Sequence, residues 1–247
     1  MNERAVSEAI GFIIILGIVM SGIGLVTLYG YPVLVKEQSN TDVRNMERAM
    51  IVIQNDMKSL CFKNVPYKET TLQVSGGTLE VINATSYGGF INVTNGTTLF
   101  QNNSVGALVY RSDRGTEVIT LENGAVITRQ EDAAGSAMLA EPRWFYDGAT
   151  NTFAVYIMNI TTDEAMARSG VATVRMSLEG VVTNVSSSPG GEEITVIYES
   201  DTSNDNSVAW GNYLTGSLGM ERSDDGYTLQ GVTRLVIKEY RIRIHGI

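Results

Sequence analysis

The segment Ala9 to Val35 runs for 27 residues without a charged side chain, and it begins five positions after Arg4. As an α-helix it would extend roughly 40 Å, against a bilayer hydrocarbon core of about 30 Å. Few folds accommodate such a segment: a removable secretory signal, a membrane anchor, or a packing helix for assembly. A cleavable signal has an apolar region of about 7–15 residues followed by a small-residue cleavage site. This run is longer, and its far end reads Tyr29-Gly30-Tyr31-Pro32. The two tyrosines suit the headgroup level, where amphipathic rings collect. A soluble core helix rarely stays apolar on every face for this length. The run is therefore expected to be retained and to lie in membrane lipid.

Composition narrows the rest. The chain of 247 residues carries a formal charge of −9, with no basic stretch to neutralise phosphates, so no nucleic acid is expected as a partner. Its single cysteine, Cys61, excludes an intramolecular disulfide framework and a multi-cysteine metal site. With His245 as the single histidine, most zinc, haem and triad chemistries lose their reagents. No cofactor and no enzyme activity are expected. Met1 to Arg4 is too short for an organelle transit peptide.

Charge counting is equivocal about orientation. Arg4 and the α-amino group precede the apolar run, whereas Lys36, Arg44 and Arg48 follow it, which by itself favours a cytoplasmic C-terminal side. Asn-x-Ser/Thr sequons at Asn83, Asn92, Asn95, Asn102, Asn159 and Asn184 argue the other way: none precedes residue 80. They read as glycosylation acceptors on an exterior domain. Within the run, Gly17, Ser21 and Gly24 fall within about 60° on one helical face, a small-residue stripe that lets another helix approach closely in lipid. Glu8 stands at the edge of the run, where it either sits at headgroup level or, in a bundle of helices, is neutralised by a neighbouring chain's α-amino group.

The stretch Arg4-Ala5-Val6-Ser7-Glu8-Ala9-Ile10-Gly11-Phe12 resembles the N-terminus of archaeal type IV pilin-like proteins, the group that includes archaellins. The resemblance implies a short leader cut by a prepilin peptidase on the cytoplasmic side, then a helix that anchors the subunit until it packs into a filament. It places Arg4 as the leader's basic residue, Ala5 as the small residue before the cut, and Val6 as the first mature residue. Glu8 then stands at the third mature position, whereas bacterial pilins place the acidic residue at the fifth. A cut after Glu3 restores that spacing but breaks the basic-then-small pattern. The resemblance covers about the first 60 residues and implies partners that are copies of this chain or related pilin-like subunits.

Beyond Pro32, which is expected to kink or end the first helical half, the pattern turns amphipathic. Val43, Met46, Met50, Ile53, Met57 and Leu60 recur at alternating spacings of three and four. Arg44, Glu47, Arg48, Gln54, Asp56 and Lys58 suit a wetted face. The stripe is expected to pack on the domain that follows rather than to form a coiled coil, and Ser39 to Asp42 marks either a weak point in the helix or a capped restart.

From Thr70 the chain reads as strands and tight turns. Thr71–Ser75 and Thr78–Ile82 around Gly76-Gly77 predict a hairpin, as do the runs flanking Asn95-Gly96 and Asn123-Gly124. Strands are also expected over Thr152–Asn159, Val171–Leu178, Glu193–Glu199 and Thr233–Ile244, with a turn at Pro189-Gly190-Gly191. Short helices are expected at Ala133–Ala140 and Ser207–Gly219; the second sets Trp210, Tyr213, Leu214 and Leu218 at core spacing. Asp201-Thr-Ser-Asn-Asp205 starts like a calcium loop but lacks the later glycine and glutamate, and reads as a polar loop. Asp224-Asp225 and Glu192-Glu193 read as solvated pairs.

The expected fold class is mainly β: a long N-terminal membrane and amphipathic α-helix followed by an antiparallel β-sandwich-like head. Residues 1–5 form the leader, 6–35 the membrane helix, 36–63 the amphipathic helix and 66–247 the exterior head. The function expected is a membrane-anchored pilin-like filament subunit. The competing reading is a single-pass ectodomain that binds a ligand or partner and never polymerises. A membrane-tethered hydrolase is disfavoured, since no convergent nucleophile and base stand out.

Overall fold

The computed structural model describes residues 3–247 apart from 64, 97, 98 and 132, and the side chains of residues 3–9 and 99–103 lie outside the described set. The architecture is mainly β with a long N-terminal helical region. Two compact units divide at residues 42 and 43.

The first unit is helical. α1 covers Glu3–Leu25, a π-helical turn covers Val26–Gly30, and α2 begins at Tyr31. Pro32 neither ends the helix nor breaks it. Lacking an N–H, proline cannot close the usual bond to the carbonyl four residues back. The preceding turn widens instead, with the Tyr31 N–H reaching back to the Val26 carbonyl, the single-turn π bulge that relieves such a mismatch. α2 then runs to Lys63, so no restart occurs at Ser39–Asp42. Apolar side chains from Ile10 to Leu34 are exposed on all sides: Phe12 at 67%, Ile18 at 67%, Leu28 at 71%.

The second unit, Val43–Ile247, is built on a 12-stranded sheet, ordered β7-β6-β5-β4-β1-β10-β12-β9-β8, with β11 beside β12 and β2–β3 beside β10. The long strands are β1 (Tyr67–Ile82), β10 (Met166–Glu199) and β12 (Gly226–Gly246). Between them lie β2 (Phe90–Thr94), β3 (Leu99–Ser104), β4 (Ala107–Ser112), β5 (Glu117–Glu122), β6 (Ala125–Gln130), β7 (Ser136–Ala140), β8 (Phe145–Asp147), β9 (Thr152–Thr162) and β11 (Glu221–Ser223). Pairing is antiparallel except that β12 runs parallel to β9, which makes the sheet mixed and β12 an interior strand.

Strand alternation gives the central sheet two apolar faces. Leu108 and Tyr110, Ile119 and Leu121, Tyr240 and Ile242 turn to one core, which takes in the α2 stripe. Met46, Met50, Ile53, Met57 and Leu60 are fully buried there. Ala107 and Val109, Phe153 and Val155, Leu235 and Ile237 turn to a second core with Trp144, Trp210 and Leu214. Trp210 and Leu214 come from α3 (Ser207–Asn212) and the π turn that follows it, Tyr213–Ser217. The stripe thus packs on the head, and the 207–219 helix supplies core, as the spacing predicts.

Several expectations are corrected. Gly76-Gly77 is a bulge inside β1, since residues on both sides of it pair with the same strand, β10. Pro189-Gly190-Gly191 is likewise an irregularity within β10, whose register to β12 shifts between Ser187 and Glu192. Proline is tolerated because that stretch of β10 pairs only with β12 among the described residues, and an edge needs no donor. The 133–140 segment holds strand β7, paired with β6, rather than a helix. The Asn123-Gly124 hairpin stands as read, with both residues at positive φ (45° and 72°).

Candidate functional site

Two regions bear on function: the uncovered apolar helix and the polar groups the head brings together. On the helix, Gly17 and Ser21 are exposed and Gly24 half-exposed. A Cβ added at Gly17 or Gly24 would meet nothing within 4 Å. The small-residue face is thus open in the single chain. Arg4, Ala5, Val6 and Glu8 lie in α1, but their side chains are outside the described set. The helix from Ile10 onward is long and apolar enough to cross a membrane.

The sequons separate by environment. Asn184 is exposed, on β10 opposite Ile237. Asn83 is engaged locally: its side-chain amide donates to the Thr162 carbonyl, and its Oδ1 accepts from the Thr85 N–H at 3.1 Å. Asn95 donates to the Glu192 carboxylate at 3.0 Å. Asn92 and Asn159 each have a buried Oδ1 within a strand. The Asn102 side chain is outside the described set.

The head's most buried charge is Glu122, at the end of β5 and fully buried. It accepts hydrogen bonds from the Tyr87 hydroxyl, from the Tyr198 hydroxyl at 2.7 Å and from the Trp210 indole N–H at 2.6 Å. Burial pushes its carboxyl pKa up, against the opposing pull of these donors. Tyr87 and Tyr198 are themselves raised by burial and by the neighbouring carboxylate. The cluster ties β5, β10, α3 and the segment before β2 at one point. Periodicity gave no warning of it, because Glu122 sits beside a turn where an acidic residue reads as solvated.

The Asp201–Asp205 loop is held by cations of the protein itself. The Asn204 Oδ1 accepts from Arg111 at 2.9 Å and from Arg129 at 3.5 Å, and Arg129 also donates to the Ser203 carbonyl at 2.7 Å. Burial, then the proximity of Arg111, lowers the Arg129 pKa. The Asp201 and Asp205 carboxylates accept hydrogen bonds from Gly88, Ser200, Ser203, Asn204 and Ser207, and no metal-holding group of three acidic, His or Cys side chains exists among the described residues.

Gln54, expected on the wetted face, is only 2% exposed. It donates to the Gly124 carbonyl at 2.6 Å and to the Glu141 carbonyl at 3.1 Å, clasping the β5–β6 turn to α2. Glycine suits position 124 because φ is 72° there, and a Cβ would also lie 2.9 Å from the Met158 sulfur. Ser177 and His245 meet at 2.7 Å between Oγ and Nε2, a pairing that sequence distance concealed. Among the described residues no carboxylate hydrogen-bonds that imidazole, and the pair is a cross-strand contact on β10 and β12.

A family model described as a family of unknown function, DUF7289, matches residues 4–244, so the chain belongs to that family. No curated protein and no solved structure matches it.

Proposed function

We propose that this DUF7289 member is a membrane-anchored surface protein, a type IV pilin-like structural subunit of an archaeal cell-surface filament. The observation that carries the reading is the apolar helix, exposed from Ile10 to Leu34 with Gly17 and Ser21 open on its surface. Apolar surface of that extent is stable in lipid or against other helices and costly in water. The order of events would be insertion of the helix, removal of a leader ahead of Val6 by a prepilin peptidase, and packing of the helix against copies of itself or related subunits. The head would then stand outside the cell, with Asn184 the best-presented of the sequons whose side chains are described.

Mass spectrometry of the native protein tests processing: an N-terminus at Val6 is expected, and an intact Met1 would overturn it. Shearing of cells tests assembly. A filament subunit leaves with the sheared material, whereas a lone ectodomain that binds a ligand or partner stays with the membrane.

A further inference from the structure

The end of α2 and the segment before β8 enclose a cleft in the head lined by Asn55, Lys58, Ser59, Phe62, Lys63 and Arg143. Beneath it lies an aromatic floor. Phe62 meets Tyr156 and Tyr240 edge-on, with ring centroids 5.3 and 5.4 Å apart. The Arg143 guanidinium rests 4.4 Å above the Phe62 ring centre and 5.9 Å from that of Tyr156. Ring faces hold this cation without engaging its N–H donors.

Lys58 donates once, to the Glu141 carbonyl at 3.1 Å, and keeps two donors. Its pKa is lowered by burial first and by the charge of Arg143 next, with Glu141 opposing. Among the described residues none of Lys58, Lys63 and Arg143 joins an ion pair, and no carboxylate lines the cleft. The like charges of Lys58 and Arg143 repel each other, and the Glu141 carboxylate, which acts on Lys58 without forming an ion pair with it, offsets that repulsion in part. A bound anion relieves that repulsion. Asn55 and Ser59 add neutral hydrogen-bonding groups to the same wall.

We infer that this cleft binds an oxyanion, a carboxylate or phosphate group gripped by Arg143, Lys58 and Lys63 over the Phe62 ring. The inference is independent of the filament reading, because the cleft lies wholly within residues 43–247.

The test is calorimetric titration of the full-length protein in neutral detergent at constant ionic strength, with inorganic phosphate in one arm and citrate in the other. Saturable one-site binding of either probe is expected. Preference for phosphate points to a phosphorylated ligand, and preference for citrate to a carboxylate-bearing one. Arg143→Ala should weaken binding about tenfold or more, the usual loss for a charge-assisted hydrogen bond. Arg143→Lys should fall between it and the unaltered protein, since lysine keeps the charge but not the planar fork. Arg168→Ala, which removes an exposed cation elsewhere on the sheet, should change nothing, and circular dichroism checks that each variant is folded. Absence of saturable binding by both probes would overturn the proposal. So would equal affinity in folded Arg143→Ala, or an equal loss in Arg168→Ala.

Discussion

The apolar residues before Val35 and those after Val43 are both carried on helix, yet they meet opposite surroundings. From Ile10 to Leu34 they cover every face and remain exposed; from Val43 to Leu60 the a/d stripe is buried against the sheet, while Val52, off the stripe, stays exposed. The difference lies in where the polar residues fall. Arg44, Glu47 and Arg48 give the second stretch a wetted side, so one domain satisfies it. The first stretch has no such side and needs an apolar medium all round. One helical region thus carries two separate requirements, and substitutions should resolve them.

The largest effect is expected from Met50→Ala, which empties a fully buried site under the sheet. It should cost about 2–5 kcal/mol, read from denaturant unfolding of the full chain in detergent by tryptophan fluorescence. Ile14→Ala, in the exposed stretch, should leave that transition within about 0.5 kcal/mol. Equal losses would erase the contrast. Ile18→Arg should act the other way round. It would leave head stability intact while costing about 2.5–3.5 kcal/mol of membrane insertion, seen as protein released by alkaline carbonate extraction. Gln54→Leu should cost about 1–3 kcal/mol, because the buried Gly124 carbonyl loses its donor while Lys58 still serves Glu141.

The smallest effect depends on pH. The Glu122 carboxyl holds its proton to higher pH in the folded chain than its ordinary value of 4.5. Its contribution is therefore fully present below that value and is lost as pH rises through the raised one. Unfolding midpoints measured upward from pH 4 should decline, and Glu122→Gln should flatten the decline. An unchanged slope in that variant would assign the dependence to other groups.

Sequence pattern made some of this legible and hid the rest for physical reasons. The apolar run, the a/d stripe and the Asn123-Gly124 turn follow from periodicity and local backbone preference, and all three stand in the structure. Gly76-Gly77 and Pro189-Gly190-Gly191 misled, because glycine permits a bulge as readily as a reversal, and only the partner strand decides which. β10 keeps β12 as its neighbour on both sides of Pro189, information that lies some 40 residues away. Ala133–Ala140 misled for a related reason: pairing with β6 outweighed helix-forming composition. The polar contacts of Glu122, Arg129 and Arg143 were invisible, since each joins residues far apart in the chain. For the leader residues and Glu8, sequence remains the source of the reading, and Gly17, Ser21 and Gly24 are placed on an uncovered surface but not against a partner.

The parallel union of β9 with β12 bears on how the head comes into being. β12 lies between β9 and β10, so neither acquires that neighbour until residues 226–246 have been synthesised. Pairings this distant in sequence form slowly and leave strand edges open meanwhile. A ribosome stalled before Gly226 would hold a head that cannot close. In the interval before closure the polypeptide stays open to attack, and deletion of the β12 segment should leave a product that proteases digest readily.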